Sequence, residues 1–280
     1  LMPELPEMEW TLVPENQRLV SRRLQESNYL QGIEGGIDSS HISFLHGGLT
    51  PYMRDHPNER PFRPDRNMSQ NDTSPRLTVE RTDYGFAYSA QRETDKNTCY
   101  WRITPFLMPF FTITPGSLEV ADKKTYGGHA WVPVDDENCW MFTYSWNPSR
   151  PLQEGEGHSA IFLELEPRTM RAKFNKNNDY GINREVQRIS NFTGIANGSV
   201  QDAGIQESMG PICDRAMEHL GTTDRAIIAL RRIFLEAARD ILEGTDPFVP
   251  SHGSAYRVRS ISAELDDEAT LDECIIKMSF

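Results

Sequence analysis

Residues 128–146 read GHAWVPVDDENCWMFTYSW, two aromatic-rich runs parted by Asp135, Asp136, Glu137 and Asn138. Short acidic and amide side chains hydrogen-bond their own backbone in turns, while aromatic residues suit a pleated, half-buried surface. The stretch therefore predicts a β-hairpin with strands at 128–134 and 139–146. Upstream, strand-like runs stand at 18–25, 77–80, 85–92, 98–106 and 110–114, so the middle of the chain reads as an antiparallel meander. Downstream, beyond a polar stretch at 173–191, Thr222 or Thr223 is placed to cap a long helix that stops at Gly244. Its apolar residues Ile227, Ile228, Leu230, Ile233, Phe234, Ala237, Ala238, Ile241 and Leu242 cover more than one face, wide enough for a curved sheet to grip. Residues 255–262 alternate like one more strand. The layout is α+β, an antiparallel sheet packed on a long C-terminal helix.

A chain of 280 residues can bury a core without disulfide staples. Lys and Arg number 29 against 41 Asp and Glu, a formal charge of −12, which argues against nucleic acid or an anionic membrane as partner. No apolar run approaches the roughly 18 residues that span a bilayer. Cys99, Cys139, Cys213 and Cys274 stand far apart with no C-x2-C or C-x-H pair, which excludes a zinc or iron–sulfur site of that type and fits a reducing, cytoplasmic setting. The Asn-X-Ser/Thr triplets at Asn71, Asn191 and Asn197 then read as chance. The chain opens LMPELPE, neither a starting Met nor a targeting segment, and the expectation is the back part of a longer polypeptide entered at a linker.

Residues 1–16 hold three prolines and predict extended backbone. Ser27 is placed to cap a helix starting at Asn28 and carrying Tyr29, Leu30, Ile33 and Ile37. Gly32, Gly35 and Gly36 each cost about 1 kcal/mol against Ala there, so close approach to another element or a ligand should explain them. The proline-rich stretch 47–75 reads as a functional lid or a disordered loop.

Two of the seven histidines and a carboxylate fall within Asp38, His41 and His46. On one continuous helix His41 and His46 would lie about 140° apart and Asp38 about 60° from His41, so all three could face one side. Two imidazoles so placed can take neighbouring positions on a metal, though surface histidines at this spacing are also common. A distant carboxylate would complete the facial triad of non-haem Fe(II), which leaves three positions open. Asp202 and Glu207, in the acidic segment 200–207, are the candidates.

The run from Glu26 to His46, ending Asp38-Ser-Ser-His41-Ile-Ser-Phe-Leu-His46, resembles the D-x2-H-x4-H helix of Rieske non-haem iron aromatic-ring-hydroxylating oxygenases, in the phthalate 4,5-dioxygenase-like branch. Tyr100-Trp101-Arg102, Gln201-Asp202 through Glu207 to Ile212, and Glu218 to Gly221 with Asp224 and Arg231-Arg232 are similar to that branch too. The resemblance implies a helix-grip (SRPBCC-like) domain filling residues 1–280, with His41, His46 and Asp202 as iron ligands. Asp202 is preferred to Glu207 because the family's ligand follows an acidic or amide residue and precedes a Glu by five. Asp38 resembles the carboxylate that bridges the iron to the Rieske cluster of a neighbouring subunit. The implied enzyme is an NAD(P)H- and O2-dependent dioxygenase or monooxygenase of aromatic, carboxylated rings, working as a homotrimer with a reductase and sometimes a ferredoxin. The family's Rieske [2Fe-2S] domain, with C-x-H and C-x2-H pairs, should precede this region, and these residues contain no such pairs.

The other features read blandly. His56, His158 and His252 sit in polar loops and are expected to be solvated, and His129 and His219 to be core or helix-end residues. Phe106, Phe110, Phe111, Trp140, Phe142, Tyr144 and Trp146 are mostly core, with a few available to line an apolar pocket. Arg102 suits either a substrate carboxylate or a structural salt bridge. Loops 47–76 and 173–191 are expected to set substrate choice. Two competing readings are a metal-independent helix-grip module for small ligands and a zinc hydrolase, for which Glu207 would be the base.

Overall fold

In the computed structural model, which describes residues 4–48, 68–70, 72–94, 98–116, 125–250, 252–266 and 268–280, the strands are β1 (Arg18–Gln25), β2 (Arg76–Thr82), β3 (Gly85–Glu93), β4 (Thr98–Leu107), β5 (Phe111–Thr114), β6 (Tyr126–Pro133), β7 (Cys139–Trp146) and β8 (Ile261–Asp266). They form one antiparallel sheet in the order β1-β7-β6-β5-β4-β3-β2, with β8 paired to β4. The hairpin forms as the acidic turn predicts: Pro133 pairs with Cys139 and Tyr126 with Trp146, and the Asp135 carboxylate accepts from the Glu137 amide and the Asn138 side chain. β1 then pairs along the whole of β7, from Arg18 opposite Trp146 to Gln25 opposite Cys139.

The helices are α1 (Glu9–Leu12), α2 (Tyr29–Ile37), α3 (His41–Phe44), α4 (Arg184–Ile189), α5 (Gly198–Ser208), α6 (Arg225–Leu242) and α7 (Leu271–Met278). Two buried clusters form on opposite faces of the sheet. Phe106 and Leu107, neighbours on β4, fall in different clusters, as strand alternation requires. One cluster takes Trp101, Trp146 and the α7 residues Leu271, Cys274 and Met278; the other takes Trp131, Ile33 and Ile37 of α2, and Leu230 of α6.

Several local expectations are corrected. The proline-rich N-terminal segment is not simply extended: α1 interrupts it, Trp10 stacks on Tyr144 at 5.0 Å, and buried Glu9 pairs with Arg259 and accepts from the Trp146 indole. Asn28, not Ser27, caps α2, and Asp224 occupies the cap position of α6 because residues 222–224 form a 3-10 turn first. The last strand lies at Ile261–Asp266 rather than 255–262, since Tyr256 and Val258 are buried in the core without extended pairing. A further helix, α7, capped by Thr270 and Glu273, follows the last strand.

The long helix buries only Ala226, Leu230, Ile233 and Ala237, a stripe lying against β2, β3 and α2, while Leu235, Ile241 and Leu242 are exposed. It ends before Gly244, whose φ of +75° permits the left-handed stop. An ionic brace joins it to α2: Glu34 accepts from Arg231 Nε at 2.7 Å and Arg215 at 2.5 Å, and Glu218 accepts from both arginines.

The glycines of α2 have a steric reason. A Cβ on Gly32 or Gly36 would come closer than 3.0 Å to the fully buried Trp131 indole, and one on Gly35 would meet the Gln206 amide. Ala would gain about 1 kcal/mol of helix propensity at position 36, but overpacking a rigid indole costs about 1–3 kcal/mol. Gly36→Ala should therefore lower the melting temperature, and a rise would show that the helix shifts freely over Trp131.

Candidate metal centre

The segment carrying the histidines is not one helix. α2 ends at Ile37, and Asp38 is extended with φ −74° and ψ 109°. Its carboxylate turns back to accept from the Ser40 amide at 2.7 Å and the His41 amide at 3.2 Å, which caps the single turn of α3. Arg92 of β3, fully buried, clamps this break by donating to the Ser39 carbonyl at 2.6 Å and to the Asp72 carbonyl at 3.0 Å. Burial and the neighbouring Arg102 charge lower its pKa to about 10, so it stays a cation at neutral pH.

Each imidazole is oriented through Nδ1. His41 Nδ1 donates to the Asp38 carbonyl at 2.5 Å, and His46 Nδ1 donates to Gln201 Oε1 at 2.7 Å. The Gln201 amide is itself set by donating to Thr193 Oγ1 at 3.0 Å and the Ile195 carbonyl at 2.9 Å. Both Nε2 atoms therefore face Asp202 Oδ1, at 3.7 Å from His41 and 3.1 Å from His46. α5, capped by Asn197, carries Gln201 and Asp202 side by side, so one helix supplies a ligand-type carboxylate and the amide that aims an imidazole. The use of Asn197 as a cap also gives that triplet a structural role.

His41, His46 and Asp202 are the one group of three metal-ligating donors found among the described residues, with their atoms within 4.8 Å of one another. Their side chains are 23%, 24% and 26% exposed, so the cluster is open on one side. Two imidazole nitrogens free of protons and one carboxylate fit a divalent transition metal. Burial pulls the His46 pKa down, but the hydrogen bond and charge of Asp202 outweigh it and leave the value raised. Burial likewise pushes Asp202 up, and the histidines overcome it and hold it low. A proton and a metal compete for the same His46 nitrogen, so metal affinity should fall as pH is lowered.

Glu207 stands apart, accepting from the Glu26 amide at 3.1 Å and from the Tyr180 hydroxyl at 2.9 Å. It belongs neither to the three-donor group nor to the cavity wall, so it is not placed to act as the base of a zinc hydrolase.

The cluster opens into a cavity of about 880 Å³ between α2, α5 and the sheet. The wall differs from the apolar pocket that the sequence suggests. Its ring surfaces are Tyr88, Tyr126 and Trp131 with Met141, and none of Phe106, Phe110, Phe111, Trp140, Phe142, Tyr144 or Trp146 contributes. Loop 173–191 supplies no lining residue; from 47–76 Ser69 does, while residues 49–67 and 71 lie outside the described residues. Arg102 is buried on the wall but makes no salt bridge among the described residues, donating instead to the Pro115 carbonyl at 2.5 Å and the Gly116 carbonyl at 3.2 Å.

His158 is half-buried rather than freely solvated. It lines the cavity edge-on to buried His129, with ring centroids 4.6 Å apart, and its Nδ1 accepts from the Ala160 amide. His219 and His252 are exposed, and His56 lies outside the described residues. Burial, followed by the neighbouring His158, pulls His129 well below its ordinary value, and burial lowers His158 as well. Both are neutral in the folded protein near pH 7. Below about pH 6.5 the unfolded chain takes up protons that the folded one refuses, so stability falls towards the folded-state values by up to about 1.4 kcal/mol per group per pH unit. His46, raised, works in the opposite sense. His129→Gln should flatten the loss of melting temperature between pH 6.5 and 5.5, and an unchanged slope would show that His129 is not the source.

The sequence matches the family described as LigXa C-terminal domain like over residues 1–266. The 3-chlorobenzoate-3,4-dioxygenase oxygenase subunit of Comamonas testosteroni is 33% identical over 260 residues, covering 85% of this chain and 57% of that protein. The phthalate 4,5-dioxygenase oxygenase subunit of Pseudomonas putida is 30% identical over 250 residues, covering 84% and 54%. The chain thus spans little more than half the length of these relatives. The solved structure of the NdmA QL mutant with theobromine, from Pseudomonas putida CBB5, superposes with a TM-score of 0.51 at 14% identity, covering 95% of this chain and 62% of that one, which shows a shared fold.

Proposed function

Because the chain belongs to the LigXa C-terminal-domain-like family, we propose that it is the catalytic part of a Rieske-type aromatic-ring-hydroxylating oxygenase acting on a carboxylated aromatic compound. The observation that carries this reading is the His41, His46 and Asp202 cluster opening into a cavity wide enough for a substituted ring. The names of the two relatives, a chlorobenzoate and a phthalate dioxygenase subunit, support the substrate class. A metal-independent ligand-binding module would have no use for three converging donors.

In this reading Fe(II) bound by His41, His46 and Asp202 supplies the activation of O2. The chain's own residues do the rest. The Asp38 carbonyl and Gln201 keep both Nε2 atoms unprotonated. Arg92 holds the Asp38–Ser40 break in place, and Tyr126, Trp131 and Met141 offer the ring a surface. The Asp38 carboxylate, beside His41, is the bridge towards a Rieske [2Fe-2S] cluster carried by a neighbouring subunit of a homotrimer. Such a cluster, when bound, would supply electrons drawn from NAD(P)H through a reductase or a ferredoxin. The working compartment is the cytoplasm; no helix among the described residues is long and apolar enough to cross a membrane.

The test is the intact protein, purified anaerobically and assayed with its reductase. O2 and NAD(P)H consumption should depend on added iron and on an aromatic acid such as phthalate or 3-chlorobenzoate, with a hydroxylated ring as product. Iron-independent behaviour, or no response to any aromatic acid in a broad panel, counts against the reading.

A further inference from the structure

Three guanidinium groups line the cavity, and in two of them the buried donors all have acceptors. Arg102 is held by the Pro115 and Gly116 carbonyls, and Arg150 forms a two-pronged pair with Glu156. Arg23 is different. It is 4% exposed, and its one hydrogen bond among the described residues runs from Nη2 to Gln25 Oε1 at 3.1 Å. Its Nε is buried without an acceptor. Glu207 and Asp202 are the carboxylates that act on it most, but neither is in contact, and both are committed elsewhere: Glu207 to the Glu26 amide and Tyr180, Asp202 to the histidine cluster. A buried cation without a partnered anion is costly, so such groups normally have a counter-ion.

Its position says what that counter-ion is. Arg23 on β1 stands opposite Met141 on β7, which stands opposite Trp131 on β6, and all three line the cavity. The row runs cation, thioether, indole across three adjacent strands, roughly 5 Å from each to the next. Trp131 lies beneath α2, the helix that leads into Asp38 and His41. A flat ring laid over Met141 would direct a carboxylate to Arg23 and its far edge towards the metal-binding side. Gln25, which holds Arg23, donates in turn to Gln206 at 2.6 Å, one turn beyond Asp202 on α5, so cation and donor cluster share one frame.

We propose that Arg23 is the counter-ion for the carboxylate of the ring substrate and so the residue that selects anionic over neutral rings. This rests on the oxygenase reading for the identity of the ring but not for the binding of the anion. Benzoate and its neutral isostere benzamide are the probes, titrated into the intact protein under anaerobic conditions. Benzoate should bind the wild type about 10- to 100-fold more tightly than benzamide, the scale of charge-assisted hydrogen bonds to a buried cation. Arg23→Gln, which can keep a hydrogen bond to Gln25, should bring benzoate down to the benzamide level and leave benzamide and the melting temperature little changed. Arg23→Lys should restore part of the preference. Equal weakening of both probes, or benzoate binding unchanged in Arg23→Gln, overturns the proposal. Iron-dependent turnover with an unaltered KM for an aromatic acid in Arg23→Gln would refute Arg23 while the oxygenase reading stood; Arg23-dependent benzoate binding in a protein that oxidises no ring would do the reverse.

Discussion

Replacing His46 or His41 by alanine in the intact protein is expected to remove bound iron and, with it, turnover. Loss of a partner that merely orients a metal-binding imidazole costs about 10- to 100-fold in affinity. Loss of the imidazole itself should exceed that, leaving substoichiometric iron after desalting. A graded series tests the geometry: Gln201→Leu, which removes the Gln201 acceptor of His46 Nδ1 together with the amide's bonds to Thr193 and Ile195 but no metal-ligating atom, should weaken iron by the smaller factor. Asp202→Asn should fall with the histidine variants. Glu207→Gln should keep iron, because Glu207 serves the Glu26 amide and the Tyr180 hydroxyl instead. Metal analysis by mass spectrometry reads the whole series. Full iron stoichiometry in both histidine variants would refute the site, and iron lost only in Glu207→Gln would transfer the carboxylate role to that residue.

The second large effect is expected at Asp38, where charge and geometry can be separated. Its carboxylate caps α3 through the Ser40 and His41 amides, while its main-chain carbonyl, which any substitution keeps, orients His41. Asn caps a helix about as well as Asp, whereas Ala forfeits about 1 kcal/mol. Asp38→Asn should therefore retain stability and iron yet lose coupled turnover by on the order of 100-fold or more, if the carboxylate carries electrons between subunits. That step belongs to the chemistry and not to binding, so the loss falls on kcat. Asp38→Ala should add a small drop in melting temperature. Undiminished turnover in Asp38→Asn refutes the bridging role, and iron lost in parallel would reduce Asp38 to a positioning residue.

The strands were legible because their signal is local. The aromatic runs around the acidic turn, and β1 through β5, lie close to where alternation and turn residues put them. The glycines of α2 announced a close approach, but only the fold names Trp131 as the body approached. The donor set was suggested by His41, His46 and a distant acidic segment, yet spacing alone put the histidines on one continuous helix. The actual arrangement breaks at Asp38, where a side-chain cap and a buried arginine from β3 outweigh helix continuity.

His158 and Arg23 illustrate what could not be read. His158 sits among polar residues in sequence, and burial comes from β6, which brings His129 against its ring. Arg23 occupies a strand position whose facing depends on register, and β1 pairs with β7, more than a hundred residues away. α7 escaped notice because its buried stripe of Leu271, Cys274 and Met278 is short, and its stability comes from packing.

By itself the sequence determined the class of fold, the hairpin and meander, the residue types able to hold a metal and the family resemblance. Those properties reside in short-range periodicity and in the identity of side chains. Tertiary structure alone decided that Asp202 and not Glu207 faces the histidines, which nitrogen each imidazole presents, and which arginine on the cavity wall keeps a buried nitrogen without an acceptor among the described residues. Those outcomes depend on hydrogen bonds and charges brought together from distant parts of the chain, and no local pattern encodes them.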